Sequence, residues 1–575
     1  LASTTKTLSA AAPASAAAGV LKGRSRLLRP AAGWPWRLGA ALIAACVAAP
    51  VLALIWMSLD GSLDHWRHLA QHVLPTALGN TAALLLGVGV LVACLGTGSA
   101  WLVTAYDFPT RRMLLWALLL PLAVPTYIVA FAYLDILHPL GPVQGLVRDL
   151  LGYDSPRQFR LPDLRALPGA IFLLGFVLYP YVYLSTRVMF STQAASLLEA
   201  GRILGQSRRG VFFRVALPLA RPAIAVGVSL ALLETLNDIG ASEFLGVQTL
   251  TVSVYTTWIT RSDLAGAAQI ALSMLAIVVL LILLERHGRR HQRYANTQRM
   301  RPIQPEKLRG MPAAAALVLG WLPVLIGFVA PALYLLNETV KHFDATGGVS
   351  AQLLQSGYNT VRIALIATFV TVAGALVVTW AARSAHTAKT RFMKLCSRVS
   401  TVGYALPGTV LAIGLLLPLI AIDDLIAWMA RPFTDTAPGL LLMGSTAALV
   451  CAYAIRFLAI SVGSLESGLA RIPPSLEQAS RLLGESPAGT LRRVHLPLLR
   501  PAIGAAALLI FVDAMKELPA TLLLRPVNFE TLATWLYAEA ARGTYEEGAV
   551  AALAIVAAGL LPVMLLARHQ LKSGH

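Results

Sequence analysis

The sequence predicts an all-α, polytopic membrane protein with about twelve transmembrane helices in two parallel, pseudo-symmetric six-helix halves. Three observations carry that expectation. Only 13% of the 575 residues are charged and 57% are hydrophobic, about half the charged share of soluble domains, and the mean hydropathy is +0.68. Apolar runs of about 20 residues recur, each long enough to cross a hydrocarbon core and none alternating at the period of barrel strands. A polar, basic stretch before the fifth run returns, at constant spacing, before the eleventh.

Residues 1–37 are rich in Ala and Ser and carry Lys6, Lys22, Arg24, Arg26, Arg29 and Arg37 without an acid. They read as a basic, disordered cytoplasmic tail. A cleaved leader fits less well, because Trp34-Pro-Trp-Arg37 runs into a full-length span. The first half, 38–285, holds spans near 38–59, 78–105, 114–137, 168–190, 220–240 and 265–285. A basic linker, 286–312, has a Gln/Arg/Pro content that suggests no packed structure of its own. The second half, 313–575, holds spans near 313–336, 360–382, 398–420, 439–462, 501–521 and 548–567.

The formal charge of +19 does not point to nucleic acid, because the bases cluster in every second loop. Arg111 and Arg112 follow span two, Arg208, Arg209 and Arg214 follow span four, and Arg492 and Arg493 follow span ten. Acids such as Asp60, Asp149, Asp344 and Asp424 mark the alternate loops. That asymmetry places the basic loops and both termini in the cytoplasm, with the lipid bilayer as the surrounding partner. Six spans per half bring each half in and out on one side, so the repeat is parallel. Cys46, Cys94, Cys396 and Cys451 lie in or beside apolar runs without metal-ligand spacing, as small packing residues do. No metal site is expected.

The repeat itself is polar. Gly205 and Gly484, Leu217 and Leu496, Pro218 and Pro497, and Pro222 and Pro501 are each 279 positions apart. Ser196-x-x-Glu199 and Ser475-x-x-Gln478 have capping-box form, the glycines suit a helix stop, and Ser207 and Ser486-Pro487 suit a second start. Each copy reads as a helix–turn–helix on the cytoplasmic face, ending at Leu-Pro where the next span begins. Ile203 and Leu204, with Leu482 and Leu483, are apolar residues suited to a partner's groove. A hairpin that merely lies on headgroups would not need the same Gly, Leu-Pro and Arg-Pro twice at one spacing.

Glu199-Ala-Gly-Arg-x-Leu-Gly205, with Leu217-Pro218 twelve residues on, resembles the EAA loop of ABC importer permeases, and the fold implied is the type I importer permease. The resemblance implies docking of cytoplasmic ATPase subunits on Glu199, Ala200, Gly201, Arg202, Leu204, Gly205, Leu217 and Pro218. In the second copy it implies docking on Glu477, Gln478, Ala479, Arg481, Leu483, Gly484, Leu496 and Pro497. Gly201 and Ser480 stand where the family has alanine, and Gln478 where it has glutamate. The stretch from Leu236 to Trp258, and Lys516–Leu524 with Thr531–Trp535, are similar to ferric-iron importer permeases. Fe(III) handed over by a periplasmic binding protein is the implied cargo, and the inner membrane the implied location. Thiamine and phosphonate permeases share the fused architecture.

Charges also occur inside the spans. Glu234, Asn237 and Asp238 fall late in span five, and Asp513, Lys516 and Glu517 late in span eleven, again 279 apart at 234 and 513 and at 238 and 517. Ionisable groups at such depth usually face a bundle interior or a watery path, so these six are candidate passage residues. The competing reading is local structural pairing, such as Asp513 with Lys516 at i, i+3. His65, His68 and His72 have helical ligand spacing but read as an exposed polar loop. Tyr127, Tyr133, Tyr179, Tyr181 and Tyr183 could offer oxygen ligands to the Fe(III) that the resemblance implies, but read rather as an interfacial aromatic belt. No phosphate-binding loop of the G-x-x-x-x-G-K-[ST] type occurs. The chain is therefore expected to be no enzyme and to bind no cofactor, with ATP used by two separate ATPase subunits. An ion-coupled secondary transporter, which also has parallel halves, and a membrane scaffold are the alternatives.

Overall fold

The computed structural model describes residues 34–60, 63–192, 203–289, 305–384, 390–433 and 439–572. Twelve long elements organise it: α1 (Trp34–Asp60), α2 (Leu74–Ala105), α3 (Thr126–Ile136), α4 (Leu167–Thr192), α5 (Leu217–Asn237) and α6 (Leu264–Arg289), then α7 (Met311–Thr346), α8 (Ala351–Ser384), α9 (Gly408–Ala430), α10 (Thr446–Ala470), α11 (Leu496–Met515) and α12 (Tyr545–Lys572). Eleven described helices are long and apolar enough to cross a membrane, or twelve when the bent pair Arg111–Ala123 and Thr126–Ile136 counts as one span.

That bend, 92°, corrects the expected continuous span 114–137. Its cause is Pro125. A residue before proline is pushed out of the helical region, and Val124 is extended at φ −106°, ψ 118°. Pro407 repeats the device: Leu406 sits at φ −76°, ψ 122°, so α9 starts at Gly408 rather than at 398. Span ten shifts in the same direction. The Ser445 hydroxyl accepts from the Ala447 N–H at 3.2 Å, starting α10 at Thr446 instead of 439.

The repeat seen in sequence is present in space. Thr81 Oγ1 accepts from Leu250 N at 3.0 Å, and Thr360 Oγ1 from Leu532 N at 2.8 Å. Asn80 Nδ2 donates to Gln248 O and Asn359 Nδ2 to Glu530 O, both at 3.1 Å. The first helix of each repeat, however, leans on the other repeat. α1 packs against α8 and α9, so close that a Cβ on Gly414 would lie 2.4 Å from Pro50 O. α7 packs against α2 and α3 and reaches α4, where a Cβ on Gly327 would lie 2.2 Å from Phe176 O. Small residues allow such approach, which lipid-facing helices use in place of a hydrophobic drive. The linker, expected to be structureless, pairs Glu306–Lys307 in parallel with Tyr106–Asp107, and residues 290–304 lie outside the described residues.

Candidate functional site

All six intramembrane polar residues singled out from the sequence line one cavity of about 130 Å³. It forms where α5 and α11 end, facing the start of α3, the short turn Val402–Ala405 before α9 and the middle of α4 and α10. The helix starts and ends are tied across the repeats. Gly408 N donates to Asn237 Oδ1 at 2.7 Å, the Tyr404 hydroxyl to Glu234 Oε1 at 3.2 Å, and the Tyr127 hydroxyl to Lys516 O at 3.4 Å.

The two matched carboxylates do similar local work. Asp238 Oδ1 accepts from Ala241 N at 2.9 Å, at the head of the short helix Gly240–Phe244. Glu517 accepts from Ala520 N at 3.0 Å and Thr521 N at 3.1 Å, at the head of Pro519–Leu524. Glu517 Oε1 also takes a charge-assisted bond from Arg456 Nη1 at 2.9 Å. Asp513 pairs with Lys516 at 2.9 Å, three residues apart. Passage lining and structural pairing thus coexist in the same side chains.

Arg456 was missed in the sequence. It had a signal, a single arginine inside an apolar span, which is by default a functional group. Tyr404, which also faces the cavity, had none, since its contact to Glu234 spans 170 positions. The tyrosines do not form an interfacial belt: Tyr179 and Tyr183 are fully buried, and Tyr127 and Tyr181 line the cavity. Two of these hydroxyls instead satisfy carbonyls freed by irregular backbone, Tyr133 at Ile326 O (2.8 Å) and Tyr183 at Leu115 O (2.9 Å). Four carboxylates and two bases line the cavity, and low-dielectric walls focus such an acid excess onto a cation. Among the described residues no three His, Cys, Asp or Glu side chains converge as a metal cage. His68 and His72 merely stack, at 4.7 Å, and the side chain of His65 lies outside the described residues.

At the opposite ends of α5 and α11 stand the two repeated turns; the helix ahead of the second is Pro474–Leu482, and the one expected ahead of the first, up to residue 202, lies outside the described residues. Gly205 and Gly484 have φ of +81° and +84°, a left-handed stop that only glycine adopts without strain. Ile203, Leu204, Leu482 and Leu483 are each 80% exposed or more. Ser207 Oγ accepts from Gly210 N and Ser486 Oγ from Gly489 N, each at 3.1 Å, restarting the chain toward Leu217-Pro218 and Leu496-Pro497. Gln478 and Ala479 are exposed on the helix Pro474–Leu482. Ser475 is that helix's second residue, so it does not cap it; Pro474 at the first position starts it instead. Glu199, Ala200, Gly201 and Arg202, with the Ser196 cap, lie outside the described residues, as does the side chain of Arg481.

The second hairpin carries a latch. Glu477 pairs with Arg383 at the end of α8 and with His495 Nε2 at 3.0 Å, and Arg383 also donates to Leu469 O and Ile472 O. Burial pushes the Glu477 carboxyl up, but the Arg383 and His495 contacts outweigh it and hold that carboxyl below its ordinary value.

The family described as the binding-protein-dependent transport system inner membrane component matches residues 93–293 and 375–573, one copy on each repeat. The chain is similar to the Fe(3+)-transport system permease protein FbpB 2 of Haemophilus influenzae, at 24% identity over 501 residues covering 86% of this chain and 90% of the relative. It is similar to a probable ABC transporter permease protein, y4fN, of Sinorhizobium fredii, at 24% identity over 564 residues covering 93% and 94%. A shorter match, 28% identical over 191 residues, joins 32% of the chain to 80% of the molybdenum transport system permease protein ModB of Escherichia coli K12.

Proposed function

We propose that this chain, which belongs to the family of binding-protein-dependent transport system inner membrane components, carries ferric iron across the inner membrane. Its coarser activity is that of the family: it is a permease of the binding-protein-dependent ABC importer type. In the proposed assembly two cytoplasmic ABC ATPase subunits dock on the paired hairpins, and a periplasmic binding protein delivers the ion to the other face, with both termini of the chain cytoplasmic. ATP is consumed by the ATPase subunits. Their closure draws the hairpins together and rocks α5 and α11, so that the cavity opens alternately to each side.

The observation that carries the iron reading is the lining of the cavity. Carboxylate and phenol oxygens suit a hard cation, and two more acids than bases disfavour an oxyanion such as molybdate. The lack of a closed metal cage among the described residues fits a path, because conduction needs sites weak enough to leave. The similarity to a ferric permease supports the same cargo.

Uptake by the permease–ATPase complex in proteoliposomes, supplied with a metal-loaded binding protein, tests it. Radioactive Fe(III) is expected to accumulate with ATP and molybdate not to. Glu234→Gln with Asp513→Asn is expected to lower iron uptake about tenfold, as field focusing by acidic clefts is worth at least that. These two acids are the informative ones, since Asp238 and Glu517 also head short helices. Accumulation of molybdate in place of iron would refute the cargo.

A further inference from the structure

Beyond the cavity, at the end away from the hairpins, Tyr255 and Tyr537 meet with ring centroids 6.5 Å apart and planes at 80°. The two are counterparts. Both lie six residues after a capping threonine, Thr249 or Thr531, whose side chain accepts from Val252 N or Thr534 N. Both follow the leucine whose N–H bonds to Thr81 or Thr360. A residue can touch its own symmetry counterpart only beside the axis that relates them. The ring contact therefore sits on the pseudo-two-fold, where a passage between two halves must run.

The contact is reinforced from one side. Phe244 stacks on Tyr537 at 5.6 Å and 24°, and the Tyr537 hydroxyl donates to Glu243 Oε2. Both residues belong to the short helix Gly240–Phe244 that Asp238 heads. The position 279 later than Glu243 is Leu522, so only the first repeat supplies the carboxylate.

We infer that Tyr255 and Tyr537, strapped by Glu243, form the gate of the passage on the side away from the ATPase hairpins, and that this structure holds it shut. The inference rests on the passage reading above. The gate helix continues directly from a cavity acid, so a cation drawn to Asp238 competes with the Asp238–Ala241 bond and loosens the strap.

The test uses the whole permease–ATPase complex in oriented vesicles. Its four cysteines are replaced by alanine, and Leu178→Cys marks the cavity wall. A charged, membrane-impermeant methanethiosulfonate reagent is added on the side away from the hairpins. Tyr255→Ala with Tyr537→Ala is expected to speed labelling about tenfold or more, given the combined worth of an aromatic pair and a bond to a carboxylate. Tyr537→Phe, which keeps the ring and loses the strap, is expected to give a smaller rise. Unchanged labelling in the double variant, with ATPase-subunit binding retained, overturns the gate. Should the double variant not fold, unchanged rates in both Tyr537→Phe and Glu243→Gln overturn it equally. Uptake by the labelled protein reads the passage separately: normal uptake with the cavity cysteine blocked refutes the passage, whereas blocked uptake with unchanged labelling rates refutes only the gate.

Discussion

Arg456 is a full charge inside an apolar helix, where a bare guanidinium would be expelled. It stays because Glu517 meets it at 2.9 Å with both side chains nearly buried, and because Glu517 is further satisfied by Ala520 and Thr521. Removing one partner of such a pair strands the other. Arg456→Met is therefore expected to destabilise the protein by about 3 kcal/mol, read as a fall in Tm in detergent, while Arg456→Met with Glu517→Gln costs less than the sum of the singles. A double variant as unstable as the added singles would mean the two side chains act independently. Asp513 and Lys516 make the contrast. Their pair is local and about 30% exposed, so Lys516→Met is expected to cost under ~1 kcal/mol, and its effect should appear in transport instead.

At the level of elements, the hairpin helix Pro474–Leu482 shows what anchors a short helix that is too short to be stable alone. Gly484 closes its C-terminal end, and Glu477 holds it to α8 and to the turn before α11. Because the folded carboxyl is held below its ordinary value, this stabilisation is fully present above the unfolded carboxylate range and is lost as pH falls through the folded value. The hydrogen-exchange protection factors of residues 475–482, with the intrinsic pH dependence of amide exchange divided out, are expected to be flat between about pH 8 and 5 and to fall below, and Glu477→Gln should abolish that step. Protection that stays unchanged below about pH 5 in the unmodified protein would remove the latch. Much of this level was legible in advance. Twenty-residue apolar runs place spans well, and the constant spacing of Gly205 and Gly484 marked two left-handed turns. The breaks at Pro125 and Pro407 were written in the pre-proline restriction but were outvoted by continuous hydrophobicity. The latch was not legible, since Arg383 and His495 are 112 positions apart and no local pattern marks their meeting. Nor was the exchange of α1 and α7 between repeats, which any apolar helix with small residues could make.

For the whole molecule, that exchange means neither repeat can move without the other's first helix. α1 is bound to α8 and α9, and α7 to α3 and α4, so rocking one repeat displaces the outer helix of its neighbour and the two sides of the cavity stay coupled. In the proposed mechanism, drive enters this frame through two hairpins that are not equal. The positions 279 earlier than Arg383 and His495 are Thr104 and Ala216, and the Thr104 hydroxyl turns back to Ala100 O in its own helix. The second hairpin is thus tied to α8 and α10 by charge, whereas these counterparts cannot supply that tie to the first. If hairpin motion drives the cavity, stiffness at the latch sets how much of it arrives. Arg383→Ala is expected to lower the number of ions carried per ATP about threefold while both ATPase subunits stay bound, because a charged hydrogen-bond network worth a kcal/mol or so has been cut. Thr104→Ala, its counterpart, should leave that ratio unchanged. Equal losses in the two variants would mean that the hairpins transmit alike and that the latch only holds a fold.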